Sequence, residues 1–299
     1  MWQQLLTGIQ SGDHKTLARS ISLVENEIEG YQQFLQSLPY HKKQNVIGIT
    51  GPPGAGKSTL VDALIGEMVN HNKKVAVLCV DPSSPFNLGA VLGDRVRMSQ
   101  WYTHPNVFIR SLATRGSMGG LHPKIIEITD ILKVAVYDYI IVETVGVGQS
   151  EVEIAGLADV TAVVLVPEGG DEVQTMKAGL MEIADLFIVN KSDRPEADRF
   201  VQNLRQMLAP AFTKRNVPVL KTIASDKTGI AEVFTTIATL LGSPVNQEKK
   251  YWLLAEKAYQ LIQKKRMKKI SRETLLRGIK EQYDEDGFNL YKFAELSDV

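Results

Sequence analysis

Runs of consecutive apolar residues recur along the middle of the chain, separated by stretches with apolar positions at helical spacing. Strands covered on both faces of a sheet read as continuous apolar runs, so these runs predict buried, mostly parallel strands. Seven are present: NVIGIT (45–50), VAVLCVD (75–81), VFIRSLA (107–113), YIIVETV (139–145), VTAVVLVP (160–167), LFIVNK (186–191) and PVLKTIA (218–224). The alternation of strands and helices predicts an α/β fold with helices on both sides of the sheet.

Helical extensions are predicted at both ends of this region, over 1–44 and 246–299, leaving 45–245 as the α/β domain. The first extension has apolar residues at helical spacing: Leu17, Ile21, Val24, Ile28, Tyr31, Phe34 and Leu35. The second has the stripe Tyr251, Leu254, Ala258, Leu261 and Ile262, then the basic run KKRMKK (264–269) and a predicted helix from Ser271 to about Tyr283. We interpret KKRMKK as a solvated face or a protein contact.

The amino-acid composition excludes several classes of function. The 299 residues include 34 Lys+Arg and 34 Asp+Glu, so the chain has no net positive field for coating nucleic acid. The single Cys79 excludes an internal disulfide and a CxxC metal or redox pair. No secretory signal is visible, and no apolar run approaches the roughly 18 residues of a membrane span. We therefore expect a cytoplasmic protein that binds neither nucleic acid nor membrane.

The first predicted strand leads into GPPGAGKST (51–59) and then into a predicted helix. This is the P-loop pattern G-x-x-x-x-G-K-[ST] in its required strand and helix context. Its backbone amides and the helix N-terminus stabilise a polyphosphate. Lys57 is expected to reach the β- and γ-phosphates, and Ser58 to bind Mg²⁺. The nucleotide-binding residues predicted here are Gly51, Pro52, Pro53, Gly54, Ala55, Gly56, Lys57, Ser58 and Thr59.

The segment LFIVNKSD places Asn190, Lys191 and Asp193 just after a buried strand. A carboxylate there can accept hydrogen bonds from both N1 and N2 of guanine, and adenine offers no such pair of donors. Guanine is therefore the predicted base. The segment after the last strand is predicted to contact the base through Ile223, Ala224 and Ser225.

Acidic residues at strand ends are candidates for magnesium binding and catalysis. Glu143 ends a predicted strand and Gly146 follows three residues later, where its amide can meet the γ-phosphate. Gln149 comes three residues after Gly146 instead of directly after it, so the Ras-type water-positioning group is displaced and slow unaided hydrolysis is predicted. Asp81 ends the second strand, and Asp94 lies in the segment that follows.

These motifs together resemble the MeaB/ArgK family of P-loop GTPases, to which the human methylmalonic aciduria type A protein belongs. The similar blocks are LARSISLVE, GITGPPGAGKSTL, DPSSPFNLGAVLGDRVRM, RSLATRGSMGGL, ETVGVGQSEVEI, PEGGDEVQTMKAGLMEIAD and NKSD. The base motif has Ser where the family usually has Ala, and TIAS lacks the family's usual Ser-Ala start.

The resemblance implies a GTPase, with GTP/GDP and Mg²⁺ as cofactors, that chaperones an adenosylcobalamin-dependent acyl-CoA mutase such as methylmalonyl-CoA mutase. Such a chaperone gates cofactor loading and protects the mutase, and no cobalamin is expected on this chain itself. Carried over by position, Lys57, Asp94 and Glu143 belong to the catalytic machinery, and Ser58, Asp81, Asp94 and Glu143 to the magnesium site. The loop 167–177 resembles the family's third switch, with Asp171 and Lys177 as its charged residues. A homodimer formed through the C-terminal arm is also implied.

Two other function classes remain open from the residues alone. A metallochaperone GTPase needs a metal relay, usually of Cys and His side chains, whereas the five His here are scattered. A small-molecule or protein kinase needs an acceptor site with a base, for which Asp81 or Glu143 is available. The GTPase-like switch layout argues against a kinase, and an older transport-linked ATPase or kinase label for the family conflicts with Asp193.

Overall fold

A computed structural model describes residues 1–39, 45–81, 98–114, 121–145, 150–168, 178–208, 217–242, 247–267, 270–283 and 288–296. The chain divides into two compact units, Met1–Val245 and Asn246–Val299. Within the described residues, no helix is both long and apolar enough to cross a bilayer.

The larger unit is built on a single parallel sheet of seven strands in the order β3-β2-β4-β1-β5-β6-β7. The strands are β1 (Val46–Thr50), β2 (Val75–Asp81), β3 (Val107–Ala113), β4 (Tyr139–Glu143), β5 (Val160–Leu165), β6 (Leu186–Val189) and β7 (Val219–Lys221). The predicted α/β class is thereby confirmed. With β1 at the centre, successive strands are added first on one side and then on the other, which places a crevice at the carboxyl end of β1.

The continuous apolar runs arise because alternate residues of each strand meet helices on opposite faces. Ile47 and Ile49 of β1 belong to one buried cluster with the helices α4 (Lys57–Asn70) and α9 (Ile230–Gly242). Val46 belongs to the cluster on the other face, together with α5 (Ile125–Lys133) and α6 (Ser150–Leu157). A third buried cluster joins β5 and β6 to α8 (Ala197–Met207). The short helix α7 spans Ala178–Ile183.

Five of the seven strands are shorter than predicted: β1 begins one residue later, at Val46, and β6 ends two residues earlier, at Val189. β4 ends at Glu143 and β5 at Leu165, although each was predicted to continue for two more residues. β7 covers Val219–Lys221 alone. Beyond it, Ile223 pairs with Thr228 in an isolated antiparallel bridge around a 3₁₀ turn. These residues lie past the last strand-to-strand pairing, where a side chain can still be apolar without the backbone belonging to the sheet.

The N-terminal region forms three helices that pack on the sheet within the larger unit: α1 (Trp2–Gln10), α2 (His14–Glu25) and α3 (Tyr31–Gln36). Asp13 caps α2 by accepting from the backbone N–H groups of Lys15 and Thr16. Ile28, which the spacing placed on the apolar stripe, lies between α2 and α3 and is 42% exposed. The helix ends before it, and Glu27 and Gly30 take left-handed backbone conformations in this connection.

The smaller unit contains α10 (Gln247–Arg266), α11 (Arg272–Tyr283) and α12 (Leu290–Leu296). Ser271 caps α11, since its Oγ accepts from the backbone N–H of Thr274 at 3.0 Å. Apolar side chains of α10 are largely exposed, among them Tyr251, Leu254, Leu261 and Ile262.

Candidate nucleotide site

The loop between β1 and α4 passes close to two neighbouring strands, and glycine permits this at two positions. Gly51 has a φ of +141°, and a Cβ there would lie 2.1 Å from the carbonyl oxygen of Val164 in β5. Gly56 has a φ of +85°, and its Cβ would lie 2.4 Å from Nδ2 of Asn190. Any larger residue would push the loop away from the sheet. The P-loop glycines therefore hold this backbone at the carboxyl ends of β1, β5 and β6.

Lys57 lies inside this loop and is 6% exposed. Its Nζ donates to the carbonyl oxygens of Gly51, at 2.9 Å, and Pro52, at 3.1 Å. An ammonium group held in this way puts a positive charge at the centre of the loop. The first amides of α4 lie beside it, so the loop combines a cation with a helix N-terminus, the combination that binds phosphate. Within the loop, Pro53 and Gly54 are exposed, Pro52 is half-buried and Ala55 is buried, and Thr59 is half-buried in the first turn of α4.

The structure brings Ser58, in the first turn of α4, together with Glu143, the last residue of β4. The hydroxyl of Ser58 donates to Oε1 of Glu143 at 2.7 Å, and both side chains are buried. In the sheet register Glu143 is level with Cys79 of β2, so Asp81 lies two residues further along the adjacent strand. Asp81 is 5% exposed. A hydroxyl and carboxylates are the oxygen ligands that suit Mg²⁺, which keeps few protein ligands and several waters or phosphate oxygens. The residues present therefore fit a P-loop magnesium ion.

Asn190 connects the phosphate loop to the predicted base-binding loops. Its Nδ2 donates to the carbonyl oxygen of Ala55 at 2.9 Å. Its Oδ1 accepts from the hydroxyl of Thr222 and from the backbone N–H of Ala224, both at 3.1 Å. Asn190 is 3% exposed, so all three bonds are shielded from water. A single amide side chain thus aligns three loops.

Lys191 and Asp193 take different positions in the same turn. Lys191 has a φ of +56°, and its Nζ donates to the carbonyl oxygen of Gly54 at 2.7 Å. Asp193 is exposed, as expected for a side chain that receives a ligand from solvent. The N–H of Ser192 donates to the carbonyl oxygen of Thr222 at 3.0 Å, which ties this turn to the 222–226 segment. In that segment Ile223 is half-buried, Ala224 is buried and Ser225 is exposed.

Several predicted site residues lie outside the described part of the chain. These are Asp94, Gly146, Asp171 and Lys177. Among the residues described, no group of three or more His, Cys, Asp or Glu side chains is arranged to hold a metal ion.

Sequence reasoning missed two features of this site. Thr222 contributes a hydroxyl to Asn190, and Thr50 pairs with Thr144 at the ends of β1 and β4. In the sequence, the feature that marks these residues is a threonine at the polar end of an apolar run. That signal is weak, because threonine also has a high intrinsic preference for strands.

Comparison with known families decides the assignment. The family model described as "Methylmalonyl Co-A mutase-associated GTPase MeaB" matches residues 17–282. The chain belongs to this family. Its members are named as GTPases, so this chain is a GTPase, and its family implies binding of a guanine nucleotide.

Individual relatives agree with this assignment. A protein of Pyrococcus abyssi that is named as a GTPase is 46% identical over 243 residues, covering 79% of this chain and 75% of its own. GTPase ArgK of Escherichia coli is 37% identical over 240 residues, covering 77% and 72%. The mitochondrial methylmalonic aciduria type A homolog of Caenorhabditis elegans is 34% identical over 262 residues, covering 79% and 64%.

Among solved structures, one described as a LAO/AO transport system kinase superposes with a TM-score of 0.69 at 26% identity. The match covers 100% of this chain and 98% of that one. This similarity agrees with the parallel-sheet α/β architecture described for the larger unit.

Proposed function

We propose that this GTPase is a chaperone of an adenosylcobalamin-dependent acyl-CoA mutase of the methylmalonyl-CoA mutase type. It gates loading of the mutase with its cofactor and protects the loaded enzyme from inactivation. The observation that carries the proposal is the family match over residues 17–282, since the family is described by its association with that mutase. The name of the Caenorhabditis elegans relative points to the same pathway.

In this proposal the phosphate loop, residues 51–59, holds the GTP phosphates, with Lys57 neutralising charge on the β- and γ-phosphates. Lys57 already lies buried within the loop, so its charge is placed before GTP arrives. Preorganised charge of this kind stabilises a transition state at little cost in reorganisation. Gly146 would offer its amide to the γ-phosphate.

Asp193 accepts hydrogen bonds from N1 and N2 of guanine, while Asn190 and Lys191 hold the base-binding turn against the phosphate loop. Ile223, Ala224 and Ser225 complete the base contacts. The link from Asn190 to the backbone of Ala224 favours this arrangement because it sets the 222–226 segment beside the turn.

Ser58, Asp81, Asp94 and Glu143 would hold Mg²⁺, which, when bound, neutralises charge that develops between the β- and γ-phosphates. The Ser58–Glu143 hydrogen bond supports the assignment because it places a hydroxyl and a carboxylate at one point beside the phosphate loop. Glu143 and Asp94, with Lys57, would position the attacking water and the phosphates.

Two regions would contact other chains, and the first of them would also relay the nucleotide state. The loop 167–177, with Asp171 and Lys177, would contact the mutase. The smaller unit would form the homodimer, and the exposed apolar side chains of α10 supply a surface for it.

The test is GTP turnover by the purified protein, alone and with the acyl-CoA mutase of the same organism. We expect a basal rate well below the roughly 1–100 s⁻¹ of kinases and a many-fold increase with the mutase. The Lys57→Ala protein, mixed with the same mutase, controls for contaminating phosphatases. A slow rate that the mutase leaves unchanged would contradict the chaperone role while leaving the GTPase assignment intact. Phosphate release without any acceptor would separate hydrolysis from kinase activity.

A further inference from the structure

Two buried threonines face each other at the point where the phosphate loop begins. Thr50 is the last residue of β1, directly before Gly51, and Thr144 directly follows Glu143 of β4. Their hydroxyl oxygens are 2.9 Å apart, and the side chains are 0% and 2% exposed. The backbone N–H of Thr144 also donates to the carbonyl oxygen of Ile49 at 3.0 Å. The contact between β1 and β4 thus continues one residue past the end of the strand.

The end of β4 is therefore tied to both sides of the phosphate loop. Glu143 accepts from Ser58, which follows the loop, and Thr144 pairs with Thr50, which precedes it. Adjacent residues of an extended chain point to opposite faces, so the two bonds hold this end of β4 from two directions. Release of either bond would allow the backbone at Glu143 to move relative to Ser58.

This pairing is not a general property of threonine in this sheet. Thr161 of β5 is also fully buried, but within the described chain its hydroxyl has no hydrogen-bond partner. The sheet thus tolerates a buried threonine hydroxyl at one place and pairs two of them beside the phosphate loop.

We propose that the Thr50–Thr144 hydroxyl pair is a positioning device for GTP hydrolysis. It holds Glu143 beside Ser58. It also fixes Thr144, where the chain continues towards Gly146, against Thr50, which precedes the phosphate loop. The inference rests on the proposed role of Ser58 and Glu143 at magnesium. Displacement of catalytic groups by about 1 Å can lower a rate by as much as 10²-fold, so a device of this kind acts on turnover more than on nucleotide binding.

The experiment compares Thr50→Val, Thr144→Val and the double variant, with Thr161→Val as the matched control. Each single change leaves one buried hydroxyl without its partner, so we expect the Tm to fall in both. Removing both hydroxyls leaves neither group unsatisfied, so the double variant should regain most of the lost stability. Stability and positioning are thereby separated in one set of proteins.

For each protein we would measure Tm, GDP affinity without magnesium, and kcat and KM for GTP across a Mg²⁺ titration, all without mutase. The double variant should keep its GDP affinity, lose roughly 10- to 100-fold in kcat and need more Mg²⁺ for half-maximal turnover. Thr161→Val should match the wild type in GDP affinity, kcat and KM, and its Tm should not fall, because it removes a buried hydroxyl that has no hydrogen-bond partner among the described residues. Thr144→Ser, which keeps the hydroxyl, should retain most of the turnover.

Wild-type kcat and Mg²⁺ dependence in the double variant would overturn the proposal. So would a kcat that follows Tm across all variants, or a Thr144→Ser protein as impaired as Thr144→Val. A Glu143→Gln protein with normal turnover and Mg²⁺ dependence would instead contradict the magnesium site on which the inference rests. Because no mutase is present, the identity of the client does not affect the result.

Discussion

The side-chain amide of Asn190 lies 2.9 Å from the carbonyl oxygen of Ala55, so the base-binding turn and the phosphate loop form one structural unit. The two residues are 135 positions apart in the chain. The same side chain also accepts from Thr222 and Ala224. In the proposed site, recognition of the base and of the phosphates is thus coupled through one buried group.

Asn190→Ala should weaken both functions of this unit. It leaves buried polar groups on the phosphate loop and the 222–226 segment without partners, which costs about 1–3 kcal/mol of unfolding free energy. We expect lower stability in urea and weaker binding of GDP by calorimetry. Asn45→Ala is the control, since Asn45 also bonds a backbone carbonyl, that of Asp138, at the opposite end of the sheet. Equal GDP affinity in the two variants would refute the coupling.

Lys57→Ala should abolish most GTP turnover, because it removes the cation held at the centre of the phosphate loop. Loss of one group that stabilises transition-state charge typically lowers kcat by about 10²–10³-fold. Single-turnover phosphate release measures the effect directly. Lys133→Ala, which breaks a pair with Asp130 on α5, should leave the rate unchanged. Near-normal turnover after the Lys57 change would remove the basis for the phosphate site.

Asp193→Asn should alter base preference while sparing the phosphate contacts. Loss of a carboxylate that accepts two guanine N–H groups should weaken GDP binding by at least about tenfold, the equivalent of 1.4 kcal/mol. Since an amide can donate to the carbonyl at position 2 of xanthine, XDP should bind better than to the wild type. Competition against a labelled nucleotide measures both shifts. Asp130→Asn on α5, a partly exposed aspartate away from this site, should change neither, and an unaltered preference in Asp193→Asn would exclude Asp193 from base recognition.

Glu25 stabilises the folded state at neutral pH, and this stabilisation should be lost in acid. Its pKa is lowered from 4.5 to about 2, first by the His122 imidazole, whose Nε2 lies 3.5 Å away, and also by the Arg110 guanidinium. Burial of the carboxyl opposes this shift. Because the folded-state pKa is depressed, the stabilisation is present above pH 4.5 and is lost as the pH falls toward 2.

The corresponding contribution is at most about 3 kcal/mol. Urea unfolding of the wild type and Glu25→Gln should therefore give free energies that converge as the pH falls from 5 to 2. Parallel curves over that range would contradict the assignment. The same network joins α2 to β3, since Arg110 also donates to Ser22.

If the chain dimerises through α10, charged residues on the exposed apolar stripe of this helix should disrupt the dimer. Leu254 and Leu261 are 47% and 50% exposed and lie on one helical face. Changing both to Glu should convert a dimer into a 33.1 kDa monomer by light scattering. Gln263→Glu is the control, because nine residues beyond Leu254 the helix has turned by about 180° to the opposite face. A double variant that keeps the wild-type mass would remove this face from the dimer interface.

The local sequence was sufficient to predict the position of most strands and helices. The run VAVLCVD corresponds residue for residue to β2, because a strand covered on both faces needs apolar side chains at every position. The GPPGAGKST loop and the NKSD turn were also predictable, since their backbone requirements are met by residues next to one another. The break between α2 and α3 was not predicted, because the apolar spacing continues through Ile28 while the backbone leaves the helix.

Tertiary structure decided which distant groups meet. Ser58 and Glu143 are 85 residues apart, and Thr50 and Thr144 are 94 apart. Their contacts exist because β4 lies beside β1 in the sheet, an order that no local pattern specifies. Periodicity and loop motifs depend on neighbours in sequence, so the sequence by itself determined where the strands, the GPPGAGKST loop and the NKSD turn lie along the chain. The hydrogen bonds that join them depend on strand order and register, which are set only when the whole sheet is packed.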